Sequence, residues 1–507
     1  MKFIFILTLL FALPSLAQIN IPENFIGFNG GFIFNAKPIY KHPETVRLIS
    51  DMKTKTIRFP GGTVGNCYHL FKKGTTEHAF GYGIRKGEGR CTMGSVGTIY
   101  LSDLTKKPRN ILFEMSDHAK AVGAKIIYVA NVVHGSYKEI LAVLDHFKKE
   151  NIEVIGIELG NELYFGQYRN TGECRDVQHY ITKYARPFAQ MIRNSSHRDI
   201  KISFVAPGKF DDPALGGVIN WINEWNSSMA EEVNKFPSLY DAYSIHTYPA
   251  AGKECPSNDY KALAACAYSN ISDLNIRMVS SMVDYFKEKF PKLESWITEW
   301  NMNISSNYGN ISLSPLLNTV FQGCYQAEFL SGLIKSDWAQ ISSLHSYSST
   351  GVNSLGAFIG LPNKTYSTLN GNQEVAATSS YYVNLFLDQV LRNQNEISQD
   401  NEIIISSPDY GKIRTVLTKD INGQKKKVFY VNCSGNEASL SLASGESISK
   451  FKGIKGKQMY YSLGGAGYAA SNSSLEIGQK AELFDISPVN SNKIILPSYG
   501  FGFIEFN

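Results

Sequence analysis

The chain has little of what marks a nucleic-acid-binding, zinc-binding or membrane-spanning protein. Its formal net charge over 507 residues is only +5, and no basic run stands out, so binding to nucleic acid or to a membrane surface is disfavoured. CxxC and HExxH patterns are absent, which argues against a zinc site. Beyond residue 17, no apolar run approaches the about 20 residues that span a bilayer. Gly61-Gly62 is not followed by Gly-Lys-Ser/Thr, so this pair predicts a tight turn and not a phosphate loop.

The first residues have the pattern of a secretory signal peptide. Lys2 supplies a positive charge, Phe3–Leu13 is apolar, and Ser15–Ala17 contains the small residues of a cleavage site. We therefore expect residues 1–17 to be removed before Gln18 and the mature protein to be secreted, either outside the cell or into a periplasm.

Seven cysteines are an odd number for an exported chain. Cys67 with Cys91, and Cys255 with Cys266, would each close a short loop. Reduced cysteines are the alternative, and spacing alone does not decide between the two.

Two regions follow one another along the chain. Residues 18–390 alternate strand-like and helix-like segments, which predicts a (β/α)8 barrel. Residues 391–507 contain short alternating strands with polar turns, which predicts an antiparallel β-sandwich. Residues near Ile19–Pro22 are expected to complete this sandwich. The predicted barrel strands are Phe25–Phe34, Thr56–Phe59, Lys125–Asn131, Val154–Leu159, Lys201–Ala206, Ala242–His246, Ser295–Thr298 and Ile341–His345.

Two of these strands lead into a glutamate. The fourth is followed by Asn161-Glu162, and the seventh by Glu299-Trp300. In such barrels the chemistry lies at the carboxyl ends of the strands, where strands four and seven face each other. Hydrolysis of a glycosidic bond requires a proton donor and a carboxylate at the anomeric carbon, so the pair fits that reaction. For either glutamate alone, a solvated or salt-bridged residue is the more common explanation.

Four motifs carry a family resemblance. In chain order they are Arg58-Phe59-Pro60-Gly61-Gly62-Thr63, Gly160-Asn161-Glu162, Thr298-Glu299-Trp300 and Ile495-Leu496-Pro497-Ser498-Tyr499-Gly500-Phe501. The two glutamate motifs resemble those of the clan A glycoside hydrolases. The other two are similar to segments of the family 51 α-L-arabinofuranosidases and of family 79, which contains heparanase and β-glucuronidase-like enzymes. The resemblance spans the mature chain and implies that Glu162 is the general acid/base and Glu299 the nucleophile.

Residues beside the glutamates have expected supporting roles. The resemblance implies that Asn161 hydrogen-bonds the sugar hydroxyl next to the anomeric carbon, and a strand-ending cap is the alternative. Arg58 on the second strand is placed to hold Glu299 ionised. The alternative for Arg58 is an interior ion pair with Glu158.

Further candidates for substrate binding end the third, sixth and seventh strands. Tyr248 could donate a hydrogen bond to the nucleophile, and His246 could contact the acid/base or the sugar, with a structural histidine as the alternative. Asn131 and His134 are similar candidates after the third strand. Trp300 could form a stacking surface for a sugar, and core packing is the alternative.

The residues together predict a secreted retaining glycoside hydrolase that cleaves a poly- or oligosaccharide by double displacement, without a cofactor or metal ion. A non-catalytic carbohydrate-binding barrel is the main alternative, and loss of either carboxylate would indicate it. A metal-dependent hydrolase would need clustered His and Asp at strand ends, whereas those of this chain are scattered. The sugar, the linkage, exo or endo action and the oligomeric state are left open.

Overall fold

Eight parallel strands form a closed barrel in which the first strand pairs with the last. Strands are numbered in chain order, starting with β1 (Ile19–Asn20), which belongs to another sheet. The barrel strands are β2 (Ile26–Asn29), β3 (Thr56–Phe59), β4 (Lys125–Ala130), β5 (Val154–Leu159), β6 (Lys201–Val205), β7 (Ala242–Thr247), β8 (Glu294–Trp300) and β9 (Ala339–Leu344).

The structure is a computed structural model, and it describes most of the chain beyond the predicted signal peptide, which lies outside the described residues. The described residues are 19–34, 38–53, 55–79, 109–208, 220–248, 260–302, 316–349, 356–360, 365–368, 371–398, 400–458, 481–487, 489 and 491–507.

Helices alternate with the barrel strands and pack their apolar side chains against them. The helices are α1 (Pro43–Ser50), α2 (Ile111–Val122), α3 (Tyr137–Lys149), α4 (Gly166–Asn170), α5 (Val177–Tyr180), α6 (Arg186–Arg193), α7 (Asn220–Lys235), α8 (Tyr260–Lys289), α9 (Val320–Lys335) and α10 (Ser379–Leu391). The sequence sets their ends locally. Ser136 and Glu139 form a capping box at the start of α3, and Gly123 ends α2 in the left-handed conformation with φ of 67°. In the described part of the chain, no helix has both the length and the apolarity to cross a membrane.

The remaining strands form antiparallel sheets after the barrel and three short pairings beside it. They are β10 (Ser348–Ser349), β11 (Phe358–Gly360), β12 (Tyr366–Thr368), β13 (Gly371–Gln373), β14 (Val375–Ala377), β15 (Glu396–Ser398), β16 (Ile403–Ser406), β17 (Ile413–Lys419), β18 (Lys426–Asn432), β19 (Ala438–Leu442), β20 (Ile448–Lys455), β21 (Glu482–Ile486), β22 (Lys493–Leu496) and β23 (Gly500–Phe506). A seven-stranded sheet has the order β1-β15-β17-β18-β23-β20-β21, and a three-stranded sheet has the order β16-β19-β22. Leu417, Val428 and Ile504 of the large sheet share a core with Leu440 and Leu496 of the small one. The predicted fold class, a (β/α)8 barrel with a β-sandwich, is confirmed.

The sandwich is joined to the barrel by three kinds of contact. Ile19 of β1 pairs with Ile397 of β15, so the N-terminal strand completes the large sheet as expected. Phe386 of α10 packs against the sheet, with its ring centroid 6.0 Å from that of Phe503. A disulfide joins Cys324 of α9 to Cys433, which follows β18.

The other cysteines bear on the pairings predicted from the sequence. Cys67 and Cys266 are each disulfide-bonded, but the predicted partners, Cys91 and Cys255, lie outside the described residues. Cys174 is a free, buried thiol.

An irregularity in β8 decides which of its side chains enter the barrel. The pairing of β7 with β8 is regular up to Ile297, then omits Thr298, and continues with His246 opposite Glu299. Such a β-bulge adds one residue to a strand and re-aims the side chains that follow it. Both Trp296 and Glu299 therefore face the interior although they are three residues apart, and Trp300 faces outward.

The lower part of the barrel is filled by Trp296. A Cβ atom on Gly156 of β5 would lie only 2.1 Å from its indole ring, so the glycine makes room for the tryptophan. Ile127, Ala242 and Ile341 complete this apolar layer. The layer closes the barrel beneath the polar residues at the carboxyl ends of the strands.

Candidate active site

Two carboxylates and a histidine meet at the carboxyl ends of the barrel strands. Glu162 follows β5, Glu299 lies in β8, and His246 lies in β7. One ligand atom from each of the three residues lies within 4.8 Å of the others. His246 Nδ1 is 3.0 Å from Glu162 Oε1 and 3.8 Å from Glu299 Oε2. The two glutamates singled out in the sequence therefore face each other across a short gap.

Glu299 is held by donors from three other parts of the barrel. Its Oε2 atom accepts hydrogen bonds from Asn29 Nδ2 and from Arg58 Nη1, both at 3.0 Å. Its Oε1 atom accepts one from the Tyr248 hydroxyl at 2.5 Å. The residue is only 7% exposed, so its orientation is fixed. The sequence analysis expected Arg58 and Tyr248 to reach Glu299, and the structure has both contacts.

The surroundings of Glu299 favour its ionised form. Burial by itself raises the pKa of a carboxyl group. Here the positive charges of His345, His246 and Arg58, together with the hydrogen bond from Tyr248, outweigh burial and lower the pKa of Glu299 well below its ordinary value. Burial and the charge of Glu299 raise the pKa of Tyr248 far above its usual range, which keeps this hydroxyl a hydrogen-bond donor.

Arg58 contacts three residues of the site, Glu158, Asn161 and Glu299, and is itself fully buried. Its Nε atom donates to Glu158 Oε2 at 2.8 Å, and its Nη2 atom donates to Asn161 Oδ1 at 2.8 Å. A contact with Glu299 and an ion pair with Glu158 were alternatives in the sequence analysis, and Arg58 makes both. The planar guanidinium suits this role because its donors have a fixed fork geometry.

Glu162 has an unusual backbone conformation. Its φ is +49°, a left-handed value that is uncommon outside glycine and that recurs at functional sites. The preceding peptide is held by Asn66, whose Oδ1 accepts from Asn161 N–H at 2.8 Å and whose Nδ2 donates to Asn161 C=O at 2.6 Å. The side chain of Glu162 is 14% exposed, and Asn161 Nδ2 lies 3.4 Å from its Oε2 atom. Glu162 is thus the more accessible carboxylate of the pair.

The Gly61-Gly62 turn passes directly beside Asn29. Gly61 has φ of +83°, and a Cβ atom there would lie 2.3 Å from Asn29 Oδ1. Gly62 has φ of +52°, and its Cβ position would lie 4.0 Å from Glu299 Oε2. Only glycine combines these dihedrals with such a close approach, so the turn predicted from the sequence brings the backbone against the residues that hold Glu299.

The group of Glu162, His246 and Glu299 also has the residue types of a metal site. The site's other contacts fit an ion poorly, because both oxygens of Glu299 already accept hydrogen bonds, one of them from the guanidinium of Arg58. A cation there would lie close to a fixed positive charge.

The same architecture occurs in solved structures of glycoside hydrolases. A family 51 α-L-arabinofuranosidase from Bifidobacterium longum matches over 97% of this chain and 97% of its own, with a TM-score of 0.62 and 12% sequence identity. A 4-O-α-L-rhamnosyl-β-D-glucuronidase from Fusarium oxysporum matches over 97% of this chain and 98% of its own, with a TM-score of 0.57 and 14% sequence identity. A family 44 xyloglucanase from Paenibacillus polymyxa matches over 97% of this chain and 97% of its own, with a TM-score of 0.55 and 11% sequence identity. The chain has their fold.

The likeness lies in structure and not in overall sequence. No protein-family model matches the chain, and no curated protein matches it. The barrel and the sandwich of this chain are both included in the structural matches, since these cover nearly all of it.

Three of the predicted substrate-binding residues are held by contacts with residues other than the two carboxylates. Trp300 is fully buried and packs on Phe329 of α9, with ring centroids 4.9 Å apart. The predicted stacking surface at Trp300 is therefore wrong, because the bulge at Thr298 turns this side chain out of the barrel and into the core. Asn131 accepts from His134 N–H at 3.0 Å and donates to a loop carbonyl, while His134 Nε2 lies 2.6 Å from Glu173 Oε1. Sugar contacts of these two residues stay predictions.

Two residues that build the site were not identified from the sequence. Asn29 ends β2 and is followed by Gly30-Gly31. A polar residue at the end of an apolar strand could have indicated a site residue there. The sequence around Asn66 contains no pattern that indicates a site residue. Asn66 lies in a short 3-10 helix, Thr63–Asn66, and contacts Asn161 across 95 residues of sequence.

Proposed function

We propose that this chain is an exported, retaining glycoside hydrolase in which Glu299 is the nucleophile and Glu162 the general acid/base. The observation that carries the proposal is the facing pair of carboxylates, with oxygens within 4.8 Å of each other. Retaining enzymes have carboxyl groups about 5–5.5 Å apart, whereas inverting enzymes need about 6.5–9.5 Å to admit a water molecule. The fold shared with glycoside hydrolases supports this reading.

The unequal surroundings of the two carboxylates support the division of roles. Glu299 has a lowered pKa and three donors, so it stays ionised and oriented for attack on an anomeric carbon. Glu162 is more accessible to a leaving group and to water, and its closest side-chain partner is the ring nitrogen of His246 at 3.0 Å.

The reaction would proceed in two balanced steps. In the first, a Glu299 oxygen forms a bond to the anomeric carbon while the glycosidic C–O bond breaks and Glu162 gives its proton to the leaving oxygen. In the second, Glu162 takes a proton from water, the water oxygen bonds to the anomeric carbon, and the ester to Glu299 breaks. Asn161, fixed by Arg58 and Asn66, would hydrogen-bond the neighbouring hydroxyl of the sugar.

The substrate class follows from the type of site. Two facing carboxylates at the carboxyl ends of the barrel strands suit the hydrolysis of a poly- or oligosaccharide. The structural relatives are described as acting on arabinofuranosides, on a rhamnosyl glucuronide and on xyloglucan, so these glycosides are the first to test.

Export is part of the proposal. The pattern of residues 1–17 supports it, and so does the Cys324–Cys433 disulfide, because disulfides persist in oxidising compartments. Mass spectrometry of the protein recovered outside the cytoplasm should show Gln18 at its N-terminus. Recovery of the unprocessed chain from the cytoplasm would contradict export.

The activity test is a screen of nitrophenyl glycosides and polysaccharides, followed by proton NMR of the first product anomer. We expect at least one α-L-arabinofuranoside, β-D-glucuronide or β-glucan to be hydrolysed, with retained configuration. If the first-formed product has the inverted configuration, the retaining mechanism is contradicted. Loss of activity in a chelator, restored by a divalent metal, would favour the metal-dependent alternative.

A further inference from the structure

Asn66 is a buried residue whose side-chain amide contacts the loop that follows β5. It ends the 3-10 helix Thr63–Asn66, and only 2% of it is exposed. Its Oδ1 atom accepts from Asn161 N–H at 2.8 Å, and its Nδ2 atom donates to Asn161 C=O at 2.6 Å. The same nitrogen also donates to the Tyr168 hydroxyl at 2.7 Å. An asparagine amide has two N–H donors, so both donors of Asn66 are used inside the protein and neither is left for a substrate.

The contacts with Asn161 fix the peptide that leads into Glu162. The Asn161 carbonyl belongs to the same planar unit as the Glu162 nitrogen, so a hydrogen bond to its oxygen sets the plane from which the φ angle of Glu162 is measured. That φ is +49°, a left-handed value that persists in a non-glycine residue only where the surrounding structure holds it. Asn66 thus holds the unusual backbone of Glu162 on its N-terminal side.

Tyr168 gives Asn66 a second anchor in the same loop. It lies in α4, which follows Glu162 in the sequence, and it is only 1% exposed. Asn66 therefore contacts this loop both before and after Glu162. Loss of either contact would loosen the segment that carries the Glu162 side chain.

The nucleophile is held by other residues. The hydrogen bonds described for Glu299 come from Asn29, Arg58 and Tyr248, and Asn66 is not among these donors. A change at Asn66 should therefore reach the two carboxylates unequally.

We propose that Asn66 is a positioning residue for the general acid/base, which it holds in line with the leaving oxygen by fixing the peptide before Glu162. The inference rests on the proposed function, because it is there that Glu162 gives its proton to this oxygen. A general acid must lie within hydrogen-bond reach of the atom that it protonates, so a loosened Glu162 would transfer its proton poorly. The loss should then depend on how much protonation the leaving group needs.

The test compares two glycosides of the same sugar, the phenyl and the dinitrophenyl glycoside. Phenol is a poor leaving group that needs protonation, whereas dinitrophenol needs little, and both kcat/KM values report formation of the glycosyl-enzyme. Asn66→Ala should lower kcat/KM for the phenyl glycoside about 10- to 100-fold, within the range of lost positioning and of general acid catalysis. The value for the dinitrophenyl glycoside should change much less, so the ratio of the two values falls.

Tyr168→Phe is a milder variant that tests the same arrangement if Asn66→Ala does not fold. It removes only the hydroxyl that accepts from Asn66 Nδ2. The ratio should fall in the same direction by about 2- to 10-fold, the equivalent of one ordinary hydrogen bond.

Asn226→Ala is the matched control. Asn226 is also a fully buried asparagine, and its Nδ2 atom donates to Pro207 C=O at 3.0 Å, away from Asn161. Its loss should lower the Tm, as the loss of Asn66 should, but leave the ratio of the two kcat/KM values as in the wild type. An equal fall of the ratio in Asn226→Ala would show a general effect of destabilisation and overturn the proposal.

The contact of Asn66 with Asn161 offers another route to lost activity. Asn161 is proposed to hydrogen-bond a hydroxyl of the transferred sugar, and both substrates carry this sugar. A loss that acted only through this hydroxyl would lower both kcat/KM values equally. An unchanged ratio in folded Asn66→Ala, or in Tyr168→Phe where Asn66→Ala does not fold, would overturn the positioning role and leave the proposed function standing. A wild-type protein that hydrolyses no glycoside would overturn both.

Discussion

One carboxylate oxygen of Glu162 and one of Glu299 lie within 4.8 Å of each other, and their partners differ in kind. Glu299 accepts hydrogen bonds from a guanidinium, an amide and a phenol, whereas the nearest polar partner of Glu162 is the ring nitrogen of His246. A buried carboxylate with three hydrogen-bond donors and a more accessible carboxyl group suit different tasks. Their variants should therefore fail in different ways.

Glu299→Ala should abolish turnover of every glycoside, because no covalent intermediate can form. Loss of a catalytic nucleophile typically costs roughly 10⁴–10⁶-fold in kcat, which steady-state assays on the best nitrophenyl glycoside would measure. Circular dichroism should show a folded protein. Azide rescue of this variant with retained configuration would mean that the two roles are reversed.

Glu162→Ala should affect substrates according to their leaving groups. General acid/base catalysis is typically worth about 10²–10⁴-fold, so natural substrates with poor leaving groups should lose that much. A dinitrophenyl glycoside needs little protonation, and its first step should survive. The glycosyl-enzyme should then accumulate, giving a burst in stopped-flow absorbance, and azide should restore turnover with a glycosyl azide of retained configuration. Equal inactivity on both substrate types without a burst or azide rescue, in a folded protein, would contradict the assignment.

Tyr248→Phe should move the acid limb of the pH–rate profile. The lowered pKa of Glu299 keeps this residue ionised, and hence active, to pH values below the usual range of a glutamate. Removing the Tyr248 hydrogen bond destabilises the ionised form, so the pKa of Glu299 rises and the acid limb of kcat/KM moves to higher pH. The alkaline limb should not move. An unchanged acid limb would show that this bond does not control the ionisation of Glu299.

Arg58→Met should destabilise the folded protein as well as inactivate it. The fully buried guanidinium lies between Glu158 and Glu299, and removing one partner of a buried ion pair typically costs about 3–5 kcal/mol. Scanning calorimetry should show a clearly lowered Tm. Arg47→Met is the matched control, since Arg47 forms an exposed pair with Glu44 worth only about 0–1 kcal/mol. Similar Tm values for the two variants would contradict a structural role of Arg58.

The strands and site residues that were predicted correctly from the sequence are those marked by a local sequence pattern. Thr56–Phe59 and Val154–Leu159 have the predicted bounds because each is a short apolar or β-branched run with a sharp end. The helix Ile111–Val122 is also marked locally, by a capping Asn110 at its start and by Gly123 at its end. The glutamates could be singled out because each stands at the end of such a strand.

The features of the fold and site that were not predicted depend on contacts between distant parts of the chain or on local irregularities, which no sequence pattern indicates. The bulge at Thr298 alters the side-chain alternation within β8, and alternation alone would direct Trp300 inward in place of Glu299. The contact of Asn66 with Asn161 joins two barrel loops across 95 residues. The link between Cys324 and Cys433 spans 109 residues, and the sequence analysis assigned a partner to neither cysteine.

This disulfide leads to the last prediction. Cys324 lies in α9 of the barrel and Cys433 follows β18 of the sandwich, so the bond restrains the two units in the unfolded chain as well as in the folded one. Disulfides typically contribute about 2–4 kcal/mol, mainly by limiting the unfolded state. The double variant Cys324→Ala/Cys433→Ala should therefore have a lower Tm, while kcat at 25 °C stays near wild type because the sandwich still packs through Phe386. Cys174→Ala, at a free buried thiol, is the control and should lower Tm less. A Tm equal to that of the wild type would show that the packing between barrel and sandwich, and not the disulfide, sets the stability.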